Sequence, residues 1–247
     1  MHTRYRKQRG TRMKNLIVQF YDQRPLPNWA MIAQARFSEY ARIWGADYLF
    51  YDIAEYADVP YFENLNIIYN DKFDDYDKVL FVDMDVVPDH YEENIFDEEI
   101  VDVGLVPEFQ PKTMSATPTH LLPNVEWAYR HGCDKYKLPV RKPKTVEAPY
   151  LMFNSGVILW SQIGRKKART MFMDWKMWYN NEENRFIKLD QPFINSQVQK
   201  WLDYTELNEK WNGYPRFRHD LGPIPKMNFI HYTGGKKKFI EEEHDVS

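Results

Sequence analysis

The stretch YDKVLFVDMDVVPDH, residues 76–90, runs four apolar residues directly into two aspartates. An apolar run such as Val79 to Val82, with two β-branched members, is typical of a strand buried on both faces in a parallel sheet. Because side chains alternate between strand faces, Asp83 and Asp85 are predicted to point the same way at the strand end. Two adjacent carboxylates repel and resist desolvation unless a cation or a set of donors lies between them. The stretch therefore predicts a divalent metal site, with a pair of strand-end capping carboxylates as the alternative.

Strands and helices alternate along the chain before this stretch. Residues 15–22 and 47–53 are predicted strands, and between them apolar residues recur at helical spacing from an N-cap at Asn28 to a stop at Gly45. A short helix is predicted over 61–70. The order strand, helix, strand, helix, strand predicts a parallel α/β sheet with helices on both faces. Ligands of such sheets bind beyond the carboxyl ends of the strands, where the two aspartates stand.

Net charge, composition and the lengths of the apolar runs limit the classes of protein to which the chain can belong. A net charge of −3 gives no overall field that would favour nucleic acid or an anionic membrane. Aromatic residues make up 16% of the chain, which suits a sugar-binding surface and a core of large side chains equally. Cys133 is the only cysteine, which excludes an intrachain disulfide and predicts a reducing, cytoplasmic compartment. No run approaches the ~18 apolar residues of a membrane span, and the N-terminus lacks the apolar segment of a secretory signal.

The 247 residues fit one domain, since neither a repeat nor a low-complexity linker divides them. We expect residues 1–13 to form a basic, flexible arm, residues 14–240 the domain, and residues 241–247 a solvated acidic tail. Within the domain, residues 107–149 are rich in proline and weakly periodic. A segment of this kind predicts a lid or a partner-binding loop.

Regular patterns return after this segment. Residues 151–160 predict a buried strand that is interrupted at Asn154-Ser155-Gly156. Helices are predicted to begin at Ser161 and near Asp190, because apolar residues then recur at helical spacing. Residues 227–239 predict a short strand that enters a Gly-Gly turn and a lysine run.

Three later blocks accompany the Asp-Met-Asp motif: FNSGVILW (153–160), LDQPFIN (189–195) and HYTGGKK (231–237). In order and approximate spacing they resemble glycosyltransferases of the type A fold (GT-A), most closely the retaining glycogenin-like family. LNEKWN (207–212) is similar to that family's Leu-x-x-x-aromatic-Asn segment. The resemblance covers residues 14–240 and implies a single-domain, Rossmann-like fold with a mixed, mostly parallel sheet. It also implies transfer of a hexose or pentose from a nucleotide sugar with retention of anomeric configuration.

The resemblance implies a metal bound by Asp83, Asp85 and His231. Two carboxylates, one imidazole and phosphate oxygens suit Mn²⁺ better than Mg²⁺, because Mg²⁺ rarely accepts nitrogen ligands. A cation across the diphosphate stabilises the charge of the leaving group. Lys237, brought close by Gly234, would add a fixed positive charge beside the phosphates.

Other residues are assigned to the sugar by the same resemblance. Asp190 would lie nearest the anomeric carbon, where it orients the sugar or stabilises an oxocarbenium-like transition state. Asn154, Ser155 and Gln191 would select the sugar hydroxyls. The plain alternatives are a helix cap for Asp190 and a β-bulge for the Asn-Ser-Gly stretch.

The nucleoside is assigned to the end of the first strand. Tyr21 and Asp22 are the candidates for the base and the ribose, and Arg36 on the next helix for a further contact with the nucleotide. The chain departs from the family just before the Asp-x-Asp motif, where Glu63 or Asn64 replaces a lysine that the family commonly carries.

Two other classes fit part of the sequence. A haloacid dehalogenase-type phosphatase also opens with an apolar strand and Asp-x-Asp, but no strand ending in paired acidic residues follows residue 106. A catalytically silent module that binds a glycan or a partner would not need the intact acidic residues and histidine. We therefore predict a soluble, metal-dependent glycosyltransferase that uses a UDP-sugar. A glycan or protein acceptor, contacted by Trp127, Tyr129 and His131, is favoured over a modified nucleic acid.

Overall fold

The computed structural model describes residues 13–107, 144, 151–184, 188–213 and 226–244. The predictions for the N-terminal arm before Met13 and for nearly all of the proline-rich segment lie outside these residues. So do the acceptor contacts expected at Trp127, Tyr129 and His131. In the parts of the chain that are described, no helix has the length and apolar character needed to cross a membrane.

A mixed sheet forms the centre of the molecule. The strands are β1 (Asn15–Phe20), β2 (Asp47–Tyr51), β3 (Lys78–Val82), β4 (Val86–Pro88), β5 (Val103–Pro107), β6 (Phe153–Ser161), β7 (Tyr204–Glu206) and β8 (Phe229–His231). Six of these form one sheet in the order β2-β1-β3-β6-β5-β7, and β4 and β8 pair separately. The pairs β1–β2, β1–β3 and β5–β7 are parallel, whereas β6 runs antiparallel to both β3 and β5. The predicted mixed, mostly parallel sheet is confirmed.

Helices cover both faces of the sheet. The α-helices are α1 (Asn28–Trp44), α2 (Asn66–Tyr69), α3 (Gln162–Met171), α4 (Trp175–Tyr179), α5 (Asp190–Trp201) and α6 (Lys238–His244). Short 3-10 helices occupy Pro60–Leu65, Asp71–Phe73, Ile95–Asp97, Glu182–Asn184, Glu209–Trp211 and Gly234–Lys237. Along β3, Val79 and Phe81 pack in the cluster with α3, α4 and α5, while Leu80 and Val82 pack with α1. This alternation explains why the strand reads as a continuous apolar run.

The ends of α1 differ in part from the sequence prediction. Gly45 ends the helix in the left-handed conformation (φ 64°), as predicted. Asn28 is not the N-cap: the helix begins at Asn28, and the cap position is Pro27, whose side chain offers no hydrogen bond. The first turn finds its acceptor elsewhere, since Glu241 Oε1 lies 3.1 Å from the backbone nitrogen of Trp29. A carboxylate at a helix N-terminus is electrostatically favourable.

The prediction of a solvated tail from residue 241 is wrong for residues 241–244. These residues belong to α6, in which Ile240 and His244 are buried. The Tyr232 hydroxyl donates to Glu243 Oε2 (2.7 Å) and lies 2.7 Å from His244 Nε2. Burial of Ile240 and His244 and these hydrogen bonds attach the segment to the rest of the fold.

A buried arginine ties α3 to the segment that precedes β3. Arg165 is fully buried, and its guanidinium donates to the carbonyls of Phe73 (2.9 Å) and Tyr76 (2.6 Å). Burial lowers the pKa of Arg165 to about 10. We expect Arg165→Met to lower the free energy of unfolding by about 1–3 kcal/mol, because these carbonyls lose their donors. Urea denaturation measures the loss, and Lys166→Met, at an exposed position of the same helix, should stay within about 0.5 kcal/mol of the parent. Equal stability of the two variants would contradict this role.

Candidate active site

The two aspartates lie on a tight turn rather than on a strand face. β3 ends at Val82, and the turn is closed by a hydrogen bond from the Val86 nitrogen to the Asp83 carbonyl (3.1 Å). The Asp83 nitrogen donates to the Gly156 carbonyl (2.8 Å). The predicted alternation of faces is therefore wrong in detail. The turn nevertheless directs both carboxylates to the same cleft.

A long-range strand pair brings the histidine to this turn. Val86 of β4 pairs with His231 of β8, and the Tyr232 nitrogen donates to the Asp85 carbonyl (2.8 Å). His231 Nε2 lies 3.2 Å from Asp85 Oδ1. One ligand atom each from Asp83, Asp85 and His231 lie within 4.8 Å of one another. The three residues that the resemblance assigned to a metal are thus brought together.

The charges of this cluster favour the binding of a cation. Burial and the charge of Asp85 raise the pKa of Asp83 to about 8. Burial also opposes ionisation of Asp85, but His231 and Lys237 hold the pKa of that carboxyl below its ordinary value. Lys237 Nζ lies 3.2 Å from Asp85 Oδ2. Further positive charge between the two carboxylates would favour their joint ionisation, and their oxygens with an imidazole nitrogen fit a divalent cation.

A cleft of about 430 Å³ opens beside the cluster. Its walls are formed by the carboxyl ends of β1 and β3, the 3-10 helix Pro60–Leu65, the start of α5 and the 3-10 helix Gly234–Lys237. The lining residues are Phe20, Tyr21, Asp22, Gln23, Pro60, Tyr61, Asn64, Phe81, Asp83, Met84, Asp85, Asp190 and Lys237. The structure therefore brings Tyr21, Asp22, Asp190 and Lys237 to the same cavity as the two aspartates.

Asp190 lies in the cleft at the first position of α5. Asn64 Nδ2 donates to its Oδ2 (2.7 Å), and Ser155 provides a further hydrogen bond. Burial raises the pKa of Asp190 against these hydrogen bonds. The Asn64 amide oxygen is buried without a hydrogen-bond partner in the described part of the chain. Asn64 therefore holds the Asp190 carboxylate at the wall of the cleft.

Some assigned residues lie elsewhere. Arg36 is not among the residues that line the cleft: its guanidinium donates to the Pro88 carbonyl (3.2 Å) and lies 3.5 Å from the Tyr91 hydroxyl. Its assignment to the nucleotide stays a prediction. Gln191 is not among the residues that line the cleft, and its Oε1 accepts from the Ser155 nitrogen at 3.4 Å. Gly234 (φ 62°) adopts a backbone conformation that favours glycine.

The Asn-Ser-Gly interruption of β6 coincides with a register shift of the β-bulge kind, here called the β6 bulge. Pairing with β5 shifts between Leu105, opposite Ile158, and Pro107, opposite Phe153. Asn154 is not among the residues that line the cleft, and its Oδ1 accepts from the Gly156 nitrogen (2.8 Å). The assignment of Asn154 to the sugar stays a prediction.

Two asparagines were missed as site residues. Glu63 and Asn64 stand where the family commonly carries a lysine. Glu63 has a structural role, since its carboxylate accepts from the backbone nitrogens of Tyr56 (3.1 Å) and Ala57 (2.8 Å). Asn64 is the one that reaches the cleft. Asn212 lies against His231, with Oδ1 3.0 Å from Nδ1. The similarity of LNEKWN to a family segment marked Asn212 but gave it no role.

A mixed α/β sheet with an Asp-x-Asp turn at its edge and a histidine from the closing strand defines a glycosyltransferase of the GT-A fold. The chain belongs to glycosyl transferase family 8, whose family model matches residues 65–239. The chain is a glycosyltransferase, and the resemblance to the glycogenin-like family is confirmed. This membership excludes the phosphatase alternative. No curated protein was found to match the sequence.

Solved structures share the fold at low sequence identity. A glycosyltransferase involved in the glycosylation of the major capsid of PBCV-1 has a TM-score of 0.61 at 11% identity, covering 94% of this chain and 100% of that one. Apo-form GlyE of Streptococcus pneumoniae TIGR4 has a TM-score of 0.55 at 14% identity, covering 95% and 61%. Mouse xyloside xylosyltransferase 1, also in its apo form, has a TM-score of 0.52 at 13% identity, covering 90% and 97%. At these identities the similarity shows the fold alone.

Proposed function

We propose that this glycosyltransferase takes its sugar from a UDP-sugar, depends on a divalent cation, Mn²⁺ in preference to Mg²⁺, and retains the anomeric configuration. The observation that carries the proposal is the convergence of Asp83, Asp85 and His231 within 4.8 Å at the edge of the cleft. Retention is inferred from the resemblance to the glycogenin-like family.

The acidic cluster and Lys237 suit a nucleoside diphosphate. Asp83, Asp85 and the Nε2 atom of His231 would hold the cation. When bound, the cation would neutralise the charge that develops on the departing diphosphate. Lys237 Nζ, 3.2 Å from Asp85 Oδ2, places a second positive charge at the same edge. This charge would bind and orient the phosphates.

The opposite parts of the cleft suit the nucleoside and the sugar. Tyr21 packs edge-on against Trp29, with 5.3 Å between ring centroids, and lies beside the exposed carboxylate of Asp22. A held ring and a nearby carboxylate would receive a base and a ribose. Asp190 would face the anomeric carbon, where a carboxylate favours positive charge in the transition state. Asn64, whose Nδ2 donates to Asp190 Oδ2 (2.7 Å), would hold that carboxylate in place beside the sugar.

A glycan or a protein is proposed as the acceptor, with modified nucleic acid as the second candidate. The net charge of −3 favours the first two, because a nucleic-acid partner is usually met by a basic surface. We place the activity in the reducing cytoplasm on the cysteine count alone.

A thermal-shift screen of sugar nucleotides tests the proposal. With Mn²⁺ present, UDP and one UDP-sugar should raise the melting temperature by about 5–10 °C at a hundredfold excess over Kd, because binding at that level adds about 2.7 kcal/mol of stability. The matched controls are ADP and GDP at the same concentration and UDP with EDTA in place of Mn²⁺. An equal shift with EDTA would contradict metal dependence, and no shift with any UDP compound would contradict the proposed donor.

A further inference from the structure

A chain of buried hydrogen bonds runs from the backbone of β6 to the imidazole of His231. The Gly156 nitrogen donates to Asn154 Oδ1 (2.8 Å), and Asn212 Nδ2 donates to the same oxygen (2.8 Å). Asn212 Oδ1 then lies 3.0 Å from His231 Nδ1. The exposed fractions of Asn154, Asn212 and His231 are 7%, 3% and 5%, so water competes little for these bonds.

The backbone N–H of Gly156 determines the donor and acceptor of every hydrogen bond in this series. Because a backbone N–H can only donate, Asn154 must turn its oxygen toward Gly156. Asn212 faces that same oxygen and must therefore present its NH₂ group, which leaves its own oxygen toward the imidazole. An amide oxygen can only accept, so the Nδ1 atom of His231 carries the proton. Neither asparagine amide can flip without breaking the chain.

The consequence for His231 concerns its other nitrogen. With the Nδ1 proton held by Asn212, Nε2 is the atom that faces the acidic pair, 3.2 Å from Asp85 Oδ1. A histidine that binds a metal through one nitrogen commonly donates the other N–H to a fixed acceptor, which sets its tautomer and ring orientation. We propose that Asn212 is a positioning residue that sets the tautomer and orientation of His231 for metal binding, and that Asn154 holds Asn212 in turn. This inference rests on the metal site of the proposed function.

The glycine of the same bulge makes room for the ring. A Cβ atom built on Gly156 would lie 2.4 Å from His231 Cε1 and 2.8 Å from Nδ1, closer than such contacts allow. The imidazole therefore packs directly on the β6 backbone. Asn154 and Gly156 thus act on the histidine from one bulge, which gives the Asn-Ser-Gly stretch a role other than the predicted sugar contact.

The position of Asn212 is fixed by backbone bonds to β8. The His231 nitrogen donates to the Gly213 carbonyl (2.7 Å), and the Gly213 nitrogen donates to the Phe229 carbonyl (3.0 Å). Asn212 itself ends the 3-10 helix Glu209–Trp211. The backbone beside Asn212 is therefore hydrogen-bonded to the strand that carries His231, which fixes the distance between the two residues.

Asn212→Ala tests the inference through metal affinity and a spectroscopic signature. Isothermal titration with Mn²⁺ should show binding weakened about 10- to 100-fold, the usual cost of removing such a partner. In the metal-free wild type, ¹⁵N-edited NMR should show a His231 Nδ1 proton protected from exchange, and Asn212→Ala should lose it. The matched control is Asn184→Ala, which removes a buried asparagine that donates to the Trp178 carbonyl (2.9 Å) and should leave both readouts unchanged.

The outcomes separate this inference from the proposed function. Wild-type Mn²⁺ affinity together with an intact Nδ1 proton in Asn212→Ala would overturn the positioning role. If the wild type itself binds no Mn²⁺, the proposed function fails, and the NMR signal of the metal-free variants alone decides the positioning role. If Asn212→Ala does not fold, Asn154→Ala breaks the chain at its other link and should also lose the Nδ1 proton; retention of that proton would overturn the role.

Discussion

Asp85→Asn is expected to abolish detectable Mn²⁺ binding and to slow sugar transfer by about 10³-fold, equivalent to about 4 kcal/mol of transition-state stabilisation. Asp85 is the residue on which the site converges, since one of its oxygens lies 3.2 Å from His231 Nε2 and the other 3.2 Å from Lys237 Nζ. An amide keeps the shape but supplies neither the charge nor a second anionic oxygen. Mn²⁺-dependent release of UDP measures the loss.

A surface carboxylate provides the control for this change. The Asp71 side chain is 89% exposed and pairs with Arg169, and neither residue is among those that line the cleft. Asp71→Asn removes the same charge and should leave transfer within about twofold of the parent. A wild-type Mn²⁺ requirement in Asp85→Asn would remove Asp85 from the metal site.

Asp190→Asn is expected to lower kcat by about 10²- to 10³-fold while UDP and Mn²⁺ bind as before. Asp190 lines the cleft and is not one of the three residues that converge as a metal cluster, so its charge should act mainly on the sugar. An asparagine can still accept from Asn64 Nδ2, which now donates to Asp190 at 2.7 Å, so the fold is preserved. Single-turnover transfer and separate UDP titrations distinguish the two effects.

The direction of the stability change caused by Asp190→Asn follows from the pKa of Asp190. Burial raises the pKa of Asp190 in the folded chain, so the ionised carboxylate costs stability as the pH rises above its ordinary, unfolded pKa. Asp190→Asn removes that cost, and at neutral pH its melting temperature should equal or exceed that of the parent. Asp174→Asn, at the exposed N-cap of α4, is the control with unchanged kcat. Unchanged kcat in Asp190→Asn would contradict the assignment.

Local patterns predicted those parts of the fold that local forces determine. The apolar run before Asp83 predicted β3, and helical spacing that ends at Gly45 predicted the extent of α1. Both signals depend on residues close together in sequence: the periodicity of apolar residues, and a glycine that can take the left-handed conformation at the helix end. The pairing of Val86 with His231 joins residues far apart in sequence, and no local pattern encodes it. His231 was identified through the resemblance alone.

Several side chains have partners that the sequence did not indicate. Arg36 was assigned to the nucleotide from its place after the first strand, and its guanidinium donates to the Pro88 carbonyl (3.2 Å). The acidic residues after Lys238 suggested a tail, yet Ile240 and His244 pack into the fold. Asn154 was assigned to the sugar, whereas the β6 bulge directs it to Asn212. In each case a contact with a distant segment determined the side chain's partner.

Anomalous diffraction from crystals soaked with UDP and Mn²⁺ tests the central claim most directly. The account predicts one strong manganese peak bounded by the carboxylates of Asp83 and Asp85 and by Nε2 of His231, with the diphosphate bound between this peak and Lys237. Manganese bound with His231 outside its coordination sphere, or a diphosphate bound without the metal, would contradict it.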